Sequence, residues 1–194
     1  MTESELLDQV VQRLQESHIP FMVVGSVASS YHGEPRLSYD IDIVVEADEE
    51  RILEFVHRFG PPFYVSETAA RQAVERRGMF NIIHPHCEQK VDIILCKSDT
   101  FNRSEFARKT PAVVWGVRVD IATAEDTILA KLAWARRSGS ERQRNDALGI
   151  LTAQQRRLDV AYLKRWAAEL GVQDTLDALL REVASRPQTE GEPG

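Results

Sequence analysis

The sequence has little cysteine, no long apolar run and no excess of basic charge, and each shortage removes a class of protein. With two cysteines, Cys87 and Cys96, the chain reads as reduced and cytoplasmic, one disulfide between them being the alternative. No apolar stretch is long enough to span a bilayer, and MTESELLDQ lacks a basic leader with an apolar core, so neither membrane insertion nor secretion is expected. A net charge of −6 argues against a simple basic nucleic-acid-binding protein. What is present is ordinary for a folded chain: 43% hydrophobic and 28% charged residues over 194 positions, enough for one domain, or one domain and a helical extension.

The average charge hides a gradient. Residues 1–60 carry 12 acidic against 4 basic side chains, whereas residues 131–165 carry 9 basic against 3 acidic. One end would suit a cation and the other an anion, although solvated faces of amphipathic helices account for the same pattern and are favoured on charge alone.

Leu6, Leu7, Val10, Val11 and Leu14 recur at helical spacing and predict a helix over 3–17. Phe21–Val24 reads as a short buried strand, Val27–Tyr31 as a short helix ending near Gly33, and Glu34-Pro35 as extended chain. A strand over Asp40–Glu46, a helix over Asp48–Phe59, a short edge strand at 63–65 and a helix over 67–76 follow. Met79–His84 and Lys90–Cys96 predict one hairpin, and Ala112–Trp115 with Arg118–Ile121 a second across Gly116, with a helix over Phe101–Arg108 between them. From residue 123 the pattern is helical, with caps expected at Thr123, Ser140, Asp159 and Asp174. The expected organisation is an α/β (α+β) core with a mixed sheet over 1–122, a helical region over 123–184 and a disordered tail over 185–194.

The unusual feature is SYDIDIVVE, which sets two aspartates inside a strand-forming run. On a strand, residues i and i+2 share a face, so Asp40 and Asp42 stand together, about 6.5–7 Å apart at Cα, while Ile41 and Ile43 face the core. A solvent-facing strand would carry them harmlessly; a cation site would need them. KVDIIL places Asp92 in a second apolar strand, and if that strand pairs beside the first, three carboxylates meet on one face. Such a cluster is costly unless neutralised, and oxygen-only ligands suit Mg²⁺ or Mn²⁺, which support in-line phosphoryl displacement. Gly25-Ser26, between a strand and a helix, supplies close backbone approach, a hydroxyl and a helix N-terminus for a phosphate.

VVGSVASSYHGEPRLSYDIDIVV followed by KVDIIL resembles the nucleotidyltransferase superfamily related to DNA polymerase β: Gly-Ser, a spacer, Asp-x-Asp, then a third acidic residue on a neighbouring strand. The spacer here is at the long end of the family's range. Within the superfamily, RLSYDID, TAEDTILAKLAWAR and RQRNDALGIL resemble the AbiEii-like group, many of which are toxins of toxin–antitoxin pairs; Lys131 and Asp146 fill that group's helix-borne lysine and aspartate. The resemblance covers about residues 20–155. It implies an NTP donor (ATP among the candidates), Mg²⁺ or Mn²⁺, and transfer of a nucleotidyl group to an acceptor hydroxyl with release of pyrophosphate. It further implies that Ser26, with Gly25, holds the triphosphate and that Asp40 and Asp42 bind metal. Asp92 would bind the catalytic metal and activate the acceptor, Lys131 would neutralise phosphate, Asp146 would orient Lys131 or act as a base, and Arg36 would reach phosphate.

The acceptor stays open among RNA (a tRNA end above all), a protein side chain and a small molecule, with a cognate antitoxin as a possible partner. The alternative is a catalytically silent nucleotide-binding or partner-docking protein of the same fold. His84-Pro85-His86-Cys87 has metal-ligand residue types but reads as a turn, and Trp115, Trp134 and Trp166 read as core or interhelix packing.

Overall fold

In the computed structural model, which describes residues 1–185, the chain divides into two compact units. The first comprises Met1–Tyr31 and Pro35–Thr123; the second begins at Ala124 and includes His32–Glu34. The tail expected to be disordered lies, beyond Ser185, outside the described residues.

The first unit is built on a seven-stranded sheet. Its strands are β1 (Phe21–Val23), β2 (Asp40–Val45), β3 (Tyr64–Val65), β4 (Met79–Ile83), β5 (Lys90–Leu95), β6 (Thr110–Val114) and β7 (Val117–Ile121), in the order β3-β4-β5-β2-β1-β7-β6. The sheet is mixed: β2 runs parallel to β5, β1 parallel to β7, and the remaining pairs are antiparallel. Both expected hairpins are present, β4–β5 and β6–β7. The second turns on Trp115 and Gly116, both at positive φ (50° and 85°), the backbone that a two-residue turn between twisted strands requires.

Alternation along the strands decides which side is core. Ile41, Ile43 and Val45 on β2, Val91, Ile93 and Leu95 on β5, and Phe80 and Ile82 on β4 are buried in one cluster. Helices α1 (Glu3–Glu16), α3 (Glu49–His57) and α4 (Glu67–Arg76) supply Leu6, Leu7, Val10, Ile52, Phe55, Ala70 and Ala73 to the same cluster. Each large aliphatic side chain sealed there contributes about 1.5–3 kcal/mol, which fixes the register: a slip of one residue would turn Ile41 and Ile43 outward and both aspartates inward. The other face holds a smaller cluster of Met22, Cys96, Phe106 of α5 (Thr100–Ala107) and Ala122. Both cysteines are free.

The second unit contains α6 (Ala124–Ser138), α7 (Glu141–Gln154), α8 (Val160–Leu170) and α9 (Gln173–Ser185). They bury Ile128, Leu129, Leu132, Ile150, Leu151, Leu163, Trp166, Leu176 and Leu179. Asp159 caps α8 by accepting from the Tyr162 amide, as expected. Two of the other three expected caps, Ser140 and Asp174, differ. Ser140 stands at the N-cap of α7 without a side-chain hydrogen bond, its carbonyl accepting from the Gln143 amide instead. α9 starts at Gln173, so Asp174 lies in its first turn, where a carboxylate favours the helix dipole. Among the described residues no helix is long and apolar enough to cross a membrane.

Two of the three tryptophans depart from the packing role expected of them. Trp166 is buried, but Trp115 and Trp134 are 44% and 56% exposed. The left-handed turn carries Trp115 off the sheet, and Trp134 lies on an outer face of α6 with the Arg137 guanidinium 5.6 Å from its ring centroid.

Candidate active site

The register of β2 with β5 pairs Asp40 with Lys90 and Asp42 with Asp92. Directly paired residues share a face, and that face is the one opposite Ile41, Ile43, Val91 and Ile93. The third carboxylate therefore lies beside the first two, on the neighbouring strand and the same side of the sheet. β4 pairs Asn81 with Asp92, extending the row across a third strand.

Asp92 is 5% exposed, so its charge must be met by donors. Asn81 Nδ2 donates to its Oδ1, and Lys90 Nζ lies 2.8 Å from both of its oxygens. The same ammonium is 3.3 Å from Asp40 Oδ1, so Lys90 bridges the first and third carboxylates. Burial opposes the charge on Lys90, but the Asp92 hydrogen bond and the charges of Asp92 and Asp40 outweigh it and hold its pKa above the ordinary lysine value. Among the described residues, no three His, Cys, Asp or Glu side chains are gathered as the ligands of one metal ion. The HPHC segment is the expected turn, with the Cys87 amide donating to the His84 carbonyl at 3.0 Å.

Asp42 points toward the strand–helix junction. Gly25, at φ 64°, opens α2 (Gly25–His32), and a Cβ built on it would overlap the Asp42 carboxylate, 2.8 Å from Cγ. Glycine is required there twice over, for the left-handed backbone and for the space. Ser26 follows in the first turn of α2, and its hydroxyl accepts from Arg36 Nη2 at 2.6 Å. Arg36 comes from the loop before β2, so the junction gathers a glycine, a hydroxyl and a guanidinium next to Asp42.

The structure thus brings together Gly25, Ser26, Arg36, Asp40, Asp42 and Asp92, all in the first unit. Lys131 and Asp146 belong to the second, on α6 and α7. They form an ion pair at 2.8 Å with side chains only 6% and 9% exposed. A solvated surface lysine, the ordinary role for one on an amphipathic helix, is not what Lys131 is.

Sequence reasoning missed Lys90 and Asn81. Both were legible in principle: Lys90 precedes Asp92 by one strand repeat, and the Asn81–Asp92 pairing follows from the hairpin once its turn is fixed.

No family model matches the sequence, and a search of curated proteins finds no match. Solved structures do resemble it. An antibiotic-resistance factor, ANT(2'')-Ia, aligns over 95% of this chain and 98% of its own at 14% identity and a TM-score of 0.57. An antigenic nucleotidyltransferase-like protein from Paracoccidioides brasiliensis aligns over 92% and 91% at 15% identity and a TM-score of 0.58. The fold is therefore the nucleotidyltransferase fold, a mixed sheet flanked by helices and followed by a helical region.

Proposed function

We propose that the protein is a metal-dependent nucleotidyltransferase that moves a nucleoside monophosphate from an NTP to an acceptor hydroxyl. The observation that carries this reading is the side-by-side pairing of Asp42 with Asp92, with Asp40 one strand repeat away on the same face. The donor set, carboxylate oxygens only, fits Mg²⁺ or Mn²⁺ held by Asp40, Asp42 and Asp92. When bound, such an ion supplies charge neutralisation at the phosphates and acidifies the attacking hydroxyl.

The chain's own residues do the rest. Ser26 and the first amides of α2 receive the triphosphate, with Gly25 admitting close approach and Arg36 placed beside Ser26 to pair with phosphate oxygen. Asp92, oriented by Asn81, takes the proton of the acceptor hydroxyl as its oxygen attacks the α-phosphorus. The bond from that phosphorus to the β-phosphate oxygen breaks, and pyrophosphate leaves. Lys131, oriented by Asp146, is assigned to phosphate charge. The acceptor class favoured is RNA, a tRNA 3′ end above all, because the basic residues concentrate over 131–165; protein and small-molecule hydroxyls are the other classes. The RLSYDID and TAEDTILAK segments support an AbiEii-like role, a toxin held by a cognate antitoxin. Growth arrest on expression, relieved by Asp42→Ala, is its test.

A second reading has one observation in its favour. Lys90 already neutralises Asp40 and Asp92, as a silent nucleotide-binding protein of this fold would require. Incubation with labelled NTPs, Mg²⁺ and total RNA or lysate separates the two. Transfer that vanishes in Asp42→Ala supports the enzyme, and binding without transfer over a broad acceptor panel supports the silent protein. Asp92→Asn is expected to keep NTP affinity within a few fold and lose turnover; equal loss of both would remove Asp92 from the chemistry.

A further inference from the structure

Lys90 occupies a position that the transfer chemistry leaves unexplained. Its ammonium stands between two of the three carboxylates assigned to the metal, 2.8 Å from Asp92 and 3.3 Å from Asp40. A divalent ion and an ammonium cannot share that interval: both seek the same oxygens, and two adjacent cations repel. We propose that Lys90 is a built-in competitor of the divalent cation, a tethered counter-ion that holds the carboxylate row together in the metal-free protein and must swing out before metal is bound. This rests on the reading of Asp40, Asp42 and Asp92 as metal ligands.

The fold permits the motion. Lys90 is the first residue of β5, and its backbone is pinned by its amide donating to the Tyr39 carbonyl at 3.1 Å. Only the side chain has to move, and it is 38% exposed. A lysine has the flexible stem and compact charge for such a role; an arginine fork would be harder to dislodge. The triphosphate of an incoming NTP offers the displaced ammonium new anionic partners. Lys90 then makes metal uptake conditional on nucleotide, which guards an otherwise exposed acidic row against adventitious cations.

The test is Mn²⁺ binding to the full chain without nucleotide, followed by the electron paramagnetic resonance signal of the free ion. Lys90→Gln and Lys90→Met are expected to bind Mn²⁺ about tenfold more tightly than the wild type, the order of effect of removing one adjacent unit charge in a half-solvated site. Lys90→Arg, which keeps the charge, is expected to stay within a few fold of the wild type, and Lys90→Gln with Asp42→Asn to lose the tightened binding. Circular dichroism melting identifies any variant that fails to fold, and the Gln and Met variants stand in for each other. Unchanged or weaker Mn²⁺ binding in folded Lys90→Gln and Lys90→Met, with Asp42→Asn still abolishing it, overturns the competitor role and leaves the metal ligands standing. Equal binding with and without Asp42→Asn, or no binding by any variant, overturns the ligand reading itself and the inference with it.

Discussion

At Gly25 a single missing carbon does two things. The residue sits at φ 64°, a backbone that L side chains rarely adopt, and the absent Cβ leaves room for the Asp42 carboxylate. Gly25→Ala is therefore expected to lower stability by about 1–3 kcal/mol through backbone strain alone. It should also force Asp42 away from the junction and abolish transfer, even at temperatures where the variant remains folded. Chemical denaturation and labelled-NTP transfer, measured on the same preparation, check the two halves separately. A folded Gly25→Ala with wild-type turnover would detach the junction from the chemistry. The contrast with Asp42→Ala is informative, since that change removes the ligand without straining the backbone and is expected to lose activity with little loss of stability.

At the scale of elements, β2 and β5 set the candidate site, and α6 and α7 hold a separate charged pair. The faces of β2 were legible because alternation is written residue by residue: Asp-Ile-Asp-Ile-Val-Val can satisfy a core only one way round. That β5 pairs with β2, in parallel and with Asp92 opposite Asp42, is not written in either segment. Strand order follows from how helices cover the sheet, so the meeting of the carboxylates was an expectation conditional on topology. Lys90 was half legible for the same reason: its place one strand repeat before Asp92 is written in the segment, but only the register makes it a bridge to Asp40. Arg36 and Ser26 illustrate the converse, two residues ten positions apart that the loop before β2 brings within 2.6 Å. The Lys131–Asp146 pair was read from a family pattern, and its burial was not. Removing one partner of a buried ion pair strands the other charge, so Lys131→Met alone is expected to cost about 3–5 kcal/mol. Lys131→Met with Asp146→Leu should recover most of that stability, as a pair replaced by apolar side chains of similar volume often does. If Lys131 also neutralises phosphate, the recovered double variant remains inactive; restored turnover would reduce the pair to a structural role. Urea denaturation with the transfer assay distinguishes these outcomes.

At the scale of the whole chain the relevant quantity is where charge is placed, since the total of −6 is the sum of opposed regions. Arg137, Arg142, Arg156, Arg157, Lys164 and Arg165 are all exposed on the helical unit, and Arg165 lies 5.4 Å from the Tyr162 ring centroid and 5.6 Å from that of Trp166. Guanidinium groups spread over helices and turns suit a phosphate backbone, which pairs with many weak, solvated contacts, better than a compact cationic acceptor, which the same charges would repel. A polyanionic acceptor carries a definite signature. Each phosphate neutralised releases counter-ion, so log affinity falls with log salt at about −0.7 per contact for a single strand. If three of these side chains engage RNA, KM for RNA should rise with salt at a logarithmic slope near 2. Replacing Arg156, Arg157 and Arg165 by Gln should flatten that slope toward zero while KM for the NTP, which the proposed function assigns to other residues, changes little. The control matters, because Mg²⁺–NTP binding is itself salt-sensitive and would otherwise mimic the effect. A KM for RNA that ignores salt, or a slope untouched by the triple replacement, would remove RNA as the acceptor bound by these helices. The acceptor would then be sought among small hydroxyl compounds and protein side chains, which need no counter-ion release to bind.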